Sequence, residues 1–379
     1  MLDALHGLMN WAPLGLPAFL FVITVVVFFH ELGHFAVARF FNVTVETFSI
    51  GFGRPIFQWV DSKNTNWKIS WLPLGGYVKF LGDDNAASVP DREKLERLTP
   101  QQRANAFQTK PLYQRALIVA AGPFANFILT IAIFTLVLLV VGHATLLTTV
   151  GEVKPHSPAA AAGIHVGDTI VSVNGRRVET FEDLVAKVHA VKSGDLKLDF
   201  MRHGHAMTVH SHTASVTTDN LFGDKVKYIG IGIAPAYADS NARFSSIGPI
   251  EAVSGATRET WNIVDTSLTY LWRIVTRQSN PNQLSGVLSM ADASKQAAAA
   301  GFMNLLQLAA LISVSIGLIN LFPIPILDGG HLLYYGCEAV LGRPLGERAQ
   351  DVGFRLGLAA VLGLFVLAAW NDLTRLNLF

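Results

Sequence analysis

The residues HELGH at positions 30–34 place two histidines and a glutamate inside an otherwise apolar segment of the chain. On a helix, His30 and His34 lie one turn apart on the same face, where two imidazole nitrogens can bind one metal ion. Glu31 then lies beside the metal as a base for a water molecule. Ionisable side chains are costly to bury in an apolar helix and usually have a function there. The spacing therefore predicts a zinc-dependent hydrolytic site.

A third ligand must come from elsewhere, because a catalytic zinc ion normally has three protein ligands and one open position. The single cysteine, Cys337, excludes a multi-cysteine metal site, so the ligand is a histidine or a carboxylate. Asp328 is the acidic candidate, because it directly follows a later apolar stretch, in LFPIPILDGGH, and precedes Gly329 and Gly330. His331, three residues further on, is interpreted as a neighbour of the site or a solvated side chain rather than a ligand.

The composition indicates a membrane protein. Hydrophobic residues make up 51% of the 379 residues and charged residues only 15%, against about 25% in an average soluble domain. The formal net charge of +1 provides no basic surface of the kind that binds nucleic acid, so a nucleic-acid partner is not expected.

Four stretches are apolar over the roughly twenty residues that a helix needs to cross a bilayer, namely 14–38, 116–141, 305–326 and 352–370. Gly317 and the pair Pro323 and Pro325 indicate that the third helix unwinds near its end, which is tolerated inside protein or beside a cavity. The first basic residue is Arg39, beyond the first apolar run, so this run lacks the basic region of a secretory signal and is expected to be retained.

The orientation follows from lysine and arginine near the predicted spans. The connection 40–113 contains nine of these residues, the connection after the third span contains Arg343 and Arg348, and the stretch before the first span has none. Because such residues concentrate on the cytoplasmic side, both connections are predicted to be cytoplasmic. Both termini and the segment 142–300 are then predicted to face outside, with HELGH and Asp328 toward the cytoplasmic side.

The long outside segment has folding signals of its own. GDTIVSVNG alternates like a half-buried strand, Asn174-Gly175 predicts a tight hairpin turn, and TFEDLVAKV has helical spacing after a Thr180 cap. Further strands are predicted in LKLDFMRHG, AMTVHSHTA and KYIGIGIAP. Segment 143–236 is therefore one α+β domain, and SPAAAAGIHVGDTIVSVNG resembles the circularly permuted PDZ fold of bacteria. Segment 237–302 is predicted to be an amphipathic linker at the membrane interface or a soluble linker helix.

Taken together, HELGH and the later NLFPIPILDGGH resemble the site-2 protease family of intramembrane zinc metalloproteases, peptidase M50. The second pattern of that family, NxxPxPxLDG, is matched position by position by Asn320, Pro323, Pro325, Leu327, Asp328 and Gly329. SIGFGRPIF, with Gly51 and Gly53, and AGPFANFILTI, with Gly122, Pro123 and Asn126, also resemble family motifs. The chain is most similar to the bacterial regulator-of-sigma-E (RseP-like) branch, but it has room for one PDZ-like domain instead of two. It also has LSGVLSMADAS where many relatives read SGPxGI.

The resemblance implies one Zn²⁺ cofactor held by His30, His34 and Asp328, with Glu31 as the catalytic base. It implies that Asn320 binds substrate, for which the alternative is that Asn320 caps backbone groups freed by the prolines. Gly51, Gly53, Pro323 and Pro325 are expected to contribute to substrate binding. The implied substrates are single-span membrane proteins, including an anti-sigma factor, cut after prior trimming by another protease in regulated intramembrane proteolysis.

The segment VTVETFSIGFGRPIFQWVDSKNTNWKISWLPLGGYVKF alternates like short strands and resembles the family's membrane-re-entrant β-hairpin, whose edge pairs with an unwound substrate. The alternative is an ordinary cytoplasmic hairpin. The PDZ-like domain is expected either to bind a peptide C-terminus by strand addition or to act only as a steric guard.

The predicted fold is thus a polytopic α-helical membrane protein with about four transmembrane helices, a membrane-associated β-hairpin region and one inserted α+β PDZ-like domain. The predicted segments are 1–41 (first span), 42–112 (β region), 113–142 (second span), 143–236 (PDZ-like), 237–302 (linker), 303–330 (third span) and 331–379 (connection and fourth span). The competing functions are a catalytically inactive membrane-anchored PDZ binding module, and a metal transporter, which would require polar residues along several spans.

Overall fold

The structure is a computed structural model that describes residues 2–83, 92–191, 194–219, 225–236, 241–278 and 286–375. Parts of the predicted β region (84–91) and of the predicted linker (237–240 and 279–285) lie outside the described residues. The chain forms two compact units. The first contains Met1–Thr135, Val253–Trp272 and Pro281–Phe379, and the second contains Leu136–Ala252 and Arg273–Asn280.

The helices, in chain order, are α1 (Leu2–Phe40), α2 (Arg92–Arg97), α3 (Pro100–Ala104), α4 (Leu112–Val141), α5 (Pro158–Ala161), α6 (Phe181–His189), α7 (Pro249–Val275), α8 (Val287–Ala300), α9 (Phe302–Asn320), α10 (Asp328–Leu341) and α11 (Glu347–Arg375), with a 3₁₀ turn at Phe107–Thr109. The strands are β1 (Val45–Val60), β2 (Asn66–Phe80), β3 (His143–Leu146), β4 (Val150–Val153), β5 (Thr169–Val173), β6 (Arg176–Arg177), β7 (Asp195–Arg202), β8 (His205–His212), β9 (Ala214–Asp219), β10 (Lys225–Gly230), β11 (Ile233–Pro235) and β12 (Ala242–Ser245).

Four helices in the described part of the chain are long and apolar enough to cross a membrane. Their apolar portions are Leu14–Phe40 of α1, Leu112–Val141, Phe302–Asn320 and Arg348–Thr374 of α11. The third helix ends at Asn320, six residues before the end of the predicted span at 326. The prolines at 323 and 325 explain this early end, because proline has no amide hydrogen and clashes with the preceding helical turn. The predicted connection after it is partly helical, since α10 begins at Asp328.

Small residues allow the helices of the first unit to pack closely. A Cβ atom added at Gly33 of α1 would overlap the Ala121 carbonyl of α4. Similarly, a Cβ at Gly317 of α9 would come within 3.1 Å of the Asn126 side chain. Helix α1 therefore lies directly against α4, and α4 lies directly against α9. α8 also packs against α1 and α9.

Strands β1 and β2 form a bulged hairpin in the first unit. Ser49 pairs with both Tyr77 and Lys68, so this part of β1 has a β2 neighbour on each side. Residues 45–51 of β1 are largely buried and residues 52–60 are exposed. Gly51 has φ of +86°, and a Cβ there would lie 2.7 Å from the Leu72 carbonyl oxygen, so glycine permits the close strand approach.

The second unit contains a four-stranded sheet in the order β6-β5-β7-β8. Asn174 and Gly175 both have positive φ and join β5 to β6, as the sequence predicts for a two-residue turn. The Thr180 hydroxyl accepts a hydrogen bond from the Asp183 amide and caps α6, which is also as predicted. The core includes Ile170, Leu184, Leu198 and Phe200 together with other buried aliphatic residues.

The described part of the predicted linker contains the short strand β12 and two helices, α7 and α8. Ile250, Trp261 and Trp272 on α7 are exposed, whereas Ala252 and Ala256 are buried. This pattern is that of an amphipathic helix.

Candidate active site

Helix α1 carries the HELGH residues, and its spacing directs His30 and His34 to one face. The two Nε2 atoms lie 3.3 Å apart. Asp328 is the first residue of α10, and its Oδ2 atom lies 3.2 Å from His30 Nε2 and 3.4 Å from His34 Nε2. The structure therefore brings Asp328 to two histidines that lie 294 and 298 positions earlier in the chain, and these three residues form the metal-compatible group found among the described residues.

The three atoms fit a zinc ion. With zinc–nitrogen and zinc–oxygen distances of about 2.0–2.1 Å and tetrahedral geometry, neighbouring ligand atoms lie about 3.3 Å apart. All three observed distances are within about 0.1 Å of that value. Two imidazole nitrogens and one carboxylate oxygen are also a donor set that zinc prefers.

The chain bends sharply before Asp328 so that α10 can begin beside the end of α9. A Cβ atom at Gly329 would overlap the carbonyl oxygens of Leu321 and Phe322, and one at Gly330 would overlap that of Ile324. The two glycines therefore allow the first turn of α10 to pack onto the proline-containing turn. Substitution of either glycine would displace the aspartate beside it.

An ion pair holds α10 against α4. Arg115 Nη2 donates a hydrogen bond to Glu338 Oε1 at 2.5 Å, and the Arg115 guanidinium lies over the Tyr335 ring. Burial is the largest influence on Tyr335 and raises the pKa of its hydroxyl. Because Asp328 and Tyr335 are seven residues apart, they lie on the same side of α10. This contact therefore fixes the helix that presents Asp328.

The outer nitrogen of each histidine also has a partner. His34 Nδ1 lies 2.9 Å from the Ile118 carbonyl oxygen of α4, to which it donates. His30 Nδ1 lies 3.3 Å from the side-chain amide of Asn126, also on α4. A Cβ at Gly122 would overlap the His34 ring, so glycine leaves the space that the imidazole occupies. Such partners orient metal-binding histidines.

Glu31 is half-buried beside the hairpin. Its carboxylate accepts a hydrogen bond from the Val78 backbone N–H of β2. Gly76 lies against it, since a Cβ there would be 3.0 Å from Glu31 Cγ and 2.8 Å from the Ser49 carbonyl oxygen. The hairpin therefore limits the positions that the Glu31 carboxylate can adopt.

The remaining predicted site residues lie in two places. Asn320 is the last residue of α9 and is half-buried, and Pro323 and Pro325 lie in the turn that follows. Gly51 and Gly53 lie in β1, both with positive φ, and nothing lies within 4 Å of a Cβ added at Gly53. His331 lies in the first turn of α10 and is not part of the metal-compatible group found in the described residues.

Sequence reasoning did not identify the contacts made by Ile118, Gly76 and Val78. Ile118 and Val78 act through backbone atoms, which every residue type provides, so no side-chain pattern could have indicated them. Gly122 and Asn126 belong to a motif that resembles one of the family's, and the sequence alone assigns them no role. Their contacts with the histidines give that motif a physical meaning.

The chain is similar to proteins of a known family. The model of the family described as Peptidase family M50 matches residues 18–364. A relative from Rhizobium meliloti, named as a zinc metalloprotease, is 41% identical over 94% of this chain and 96% of its own length. Metalloprotease MmpA of Caulobacter vibrioides is 40% identical over 96% of both chains. A further relative named as a zinc metalloprotease, from Rickettsia conorii, is 31% identical over 96% of this chain.

Proposed function

Since the chain belongs to peptidase family M50 and is a zinc metalloendopeptidase that uses one Zn²⁺ ion, we propose that it cuts single-span membrane proteins within or near their transmembrane segments. It is a polytopic protein of the inner membrane that acts on protein substrates. The observation that supports the proposal is the position of His30, Glu31 and His34 within the apolar helix α1. A protease whose site lies at this depth reaches bonds that are themselves in or near the bilayer.

In this proposal, His30, His34 and Asp328 hold the metal and Glu31 is the general base. The mutual distances of 3.2–3.4 Å among the three ligand atoms support the assignment. When bound, a zinc ion would lower the pKa of a water molecule toward about 7 and would polarise the scissile carbonyl. Glu31 takes a proton from the attacking water and later gives a proton to the leaving amine. The Val78 amide keeps Glu31 in place for both transfers.

Asn320, at the end of α9, is proposed to hydrogen-bond the substrate backbone. Its side-chain amide can donate to a carbonyl and accept from an N–H, which suits an unwound peptide. Pro323 and Pro325 lie in the turn that follows, and neither has an amide hydrogen to donate to the carbonyl oxygens near the end of α9. The second role for Asn320 is therefore to satisfy those carbonyl oxygens.

The hairpin is proposed to dip into the membrane and to pair with substrate. A helix must unwind before it is cut, and its freed amide groups then need partners. The outer part of β1 and its neighbours expose large apolar side chains, namely Phe52, Ile56, Phe57, Trp59, Ile69, Trp71 and Leu72. Such a surface suits lipid, and a strand edge can accept an extended peptide. Gly51 and Gly53 would allow the peptide to approach closely. An ordinary hairpin at the cytoplasmic surface is the alternative.

The second unit is proposed to be a PDZ-like domain that screens substrates. An apolar cavity of about 180 Å³ lies between α6 and segment 230–233, which joins β10 to β11, and is lined by Phe181, Leu184, Val188, Ile231 and Ile233 among others. It has a size and lining that suit an apolar side chain of a peptide C-terminus added as a strand. A domain that only excludes bulky substrates is the alternative role.

The proposed orientation places both termini and the second unit in the periplasm and the active site toward the cytoplasmic side. The proposed cellular role is regulated intramembrane proteolysis of the RseP-like type, with an anti-sigma factor as one substrate after trimming by another protease. The lysine and arginine distribution supports this orientation. A catalytically inactive PDZ binding module is the second candidate function.

The experiment that tests the proposal compares purified wild type, Glu31→Gln and Asp351→Asn on a reporter with one transmembrane helix and a shortened periplasmic portion. Zinc is quantified in each preparation. Asp351 is an exposed surface residue paired with Arg355, so its variant is a matched control. We expect wild type and Asp351→Asn to cleave the reporter. Glu31→Gln is expected to retain zinc, but its activity should be reduced by about 10²–10⁴-fold. Equal cleavage by wild type and Glu31→Gln would contradict the proposed base.

A further inference from the structure

Asn126 has a buried polar atom that its surroundings leave without a partner. The side chain is fully buried on α4, and its Oδ1 atom accepts no hydrogen bond from any described residue. Its Nδ2 atom lies 3.3 Å from His30 Nδ1. Leaving a buried amide oxygen without a hydrogen bond is costly, so a native protein normally gives it a partner.

The two facing nitrogens conflict with the chemistry of His30. If Asn126 Nδ2 donates to His30 Nδ1, then His30 Nδ1 has no proton and Nε2 carries it. Nε2 is the atom that faces His34 Nε2 and Asp328 Oδ2. A neutral imidazole binds a metal through the nitrogen that has the free lone pair. A proton on Nε2 would therefore prevent His30 from serving as a ligand.

A 180° rotation of the amide gives Oδ1 a partner and frees the metal-facing lone pair of His30. The oxygen and nitrogen of an asparagine side chain have nearly the same shape, and their hydrogen bonds decide which is which. After rotation, Oδ1 lies beside His30 Nδ1 and accepts its proton, while Nε2 is left with a free lone pair. We propose that Asn126 is a positioning residue whose Oδ1 accepts the Nδ1–H of His30 and thereby directs the metal-binding lone pair of Nε2 toward His34 and Asp328.

His34 shows the same arrangement with a different acceptor. Its Nδ1 donates to the Ile118 carbonyl oxygen, eight residues before Asn126 on α4. Two turns of one helix thus supply both acceptors, one from the backbone and one from a side chain. Only the second can be altered by substitution.

The position of Asn126 is fixed by contacts that do not involve His30. Its backbone carbonyl accepts hydrogen bonds from the Thr130 hydroxyl at 2.9 Å and the Ser313 hydroxyl at 3.0 Å. Gly317 of α9 leaves room for its Cβ. Ser313→Ala would remove one of these contacts without changing the acceptor that faces His30, so it is a matched control for general loosening of the α4–α9 contact.

The inference rests on the proposed role of His30 as a zinc ligand. The test measures zinc affinity by competition with a chelator, using detergent-purified full chains of wild type, Asn126→Leu, Asn126→Asp and Ser313→Ala. Leucine keeps the size of the side chain and removes the acceptor. Aspartate keeps the acceptor and cannot donate when ionised. Thermal unfolding of the zinc-free proteins reports structural damage separately.

Asn126→Leu is expected to bind zinc about 10–100-fold more weakly than wild type. Asn126→Asp is expected to bind at least about tenfold more tightly than Asn126→Leu, and Ser313→Ala to match wild type. If Asn126→Leu does not fold, the inference is tested by comparing the zinc affinity of Asn126→Asp with that of wild type. Loss of zinc affinity in Asn126→Asp would show that Asn126 acts as a donor, and this would overturn the inference. Unchanged affinity in Asn126→Leu would also overturn it. If wild type binds no zinc, both this inference and the proposed assignment of the zinc ligands are contradicted.

Discussion

Gly122 of α4 lies directly against the ring of His34, so closely that a Cβ atom at position 122 would overlap the Nε2 and Cε1 atoms. The imidazole ring therefore occupies space beside α4 that is open only because residue 122 is glycine. Gly122 is in the helix interior, where glycine is otherwise unfavourable by about 0.5–1 kcal/mol relative to alanine. Its presence is explained by the histidine and not by the helix.

Gly122→Ala is expected to weaken zinc binding by at least about tenfold, because the added methyl group displaces the ring of a proposed ligand. The control is Gly336→Ala on α10, where nothing lies within 4 Å of an added Cβ. That variant is expected to keep zinc affinity and to gain slightly in stability from helix propensity. Chelator competition measures the affinities. Equal zinc affinity in Gly122→Ala and wild type would show that His34 can move without consequence.

Gly76→Ala should have a different effect, because Gly76 touches Glu31, the proposed base, and not the proposed ligands. A Cβ there would lie 2.9 Å from Val27 and 3.0 Å from Glu31 Cγ, so β2 and the glutamate must separate. We expect kcat to fall by about tenfold or more while zinc content is retained, since a small misplacement of a catalytic group is costly. Zinc content and turnover of the single-helix reporter are measured together. Loss of zinc from Gly76→Ala would indicate that the hairpin supports the whole site.

The contrast between these two glycines shows what the sequence could and could not predict. Helical spacing alone brought His30, Glu31 and His34 to one region, because residues four apart on a helix share a face. The orientation of the first and third predicted spans puts their cytoplasmic ends at the same depth in the membrane, which predicts that Asp328 lies near the two histidines. Val78 and Ile118 contribute backbone atoms from elements distant in the chain, and nothing in their side chains indicates these roles.

The early end of the third helix has a similar explanation. The apolar pattern continues to Ile326, so hydropathy extended the span to 326, whereas the helix ends at Asn320. Hydropathy measures suitability for lipid and does not register the loss of amide hydrogens at Pro323 and Pro325. The proline pair did indicate local unwinding. It did not indicate that a new helix would begin directly at Asp328.

Asp168 should make the second unit sensitive to acid. Burial by itself raises the pKa of this carboxyl, but hydrogen bonds from Arg202 and from the His165 amide outweigh burial and lower the pKa below its usual value. Because the folded-state pKa is the lower one, the stabilisation is complete above the unfolded value of about 3.9 and is lost as the pH falls through the folded value. Asp168→Asn is therefore expected to cost about 1–3 kcal/mol near pH 7, and the difference from wild type should shrink below about pH 4.

Hydrogen exchange of the β5 and β7 amides in the full chain, corrected for intrinsic rates at each pH, measures this difference. Asp183→Asn is the control, because Asp183 pairs with Lys187 in a partly exposed i,i+4 contact that contributes little. A difference between Asp168→Asn and wild type that stays constant from pH 7 to about pH 3 would contradict the proposed linkage.

Asp372, near the end of α11, supplies the cap that α8 lacks in its own sequence. Gly286 precedes α8 and has no side chain to cap it. The buried Asp372 carboxylate accepts hydrogen bonds from the backbone amides of Gly286, Leu288 and Ser289 at 2.9–3.2 Å. It also accepts a hydrogen bond from the Ser289 hydroxyl. Asp372→Ala would leave these donors unpaired at a helix N-terminus, where a carboxylate is also favoured by the helix dipole. We expect a cost of about 1–2 kcal/mol, seen as roughly tenfold faster hydrogen exchange in the first turn of α8.

The exposed Asp351, at the other end of α11, is the control for the loss of one carboxylate from that helix, and Asp351→Ala is expected to leave α8 exchange unchanged. Because α8 packs against α1 and α9, which carry the HELGH residues and Asn320, Asp372→Ala is also expected to lower proteolytic turnover while zinc remains bound. Exchange in α8 that is equally slow in Asp372→Ala and wild type would mean that packing against α1 and α9 alone holds the helix, and that the carboxylate of α11 adds nothing to it.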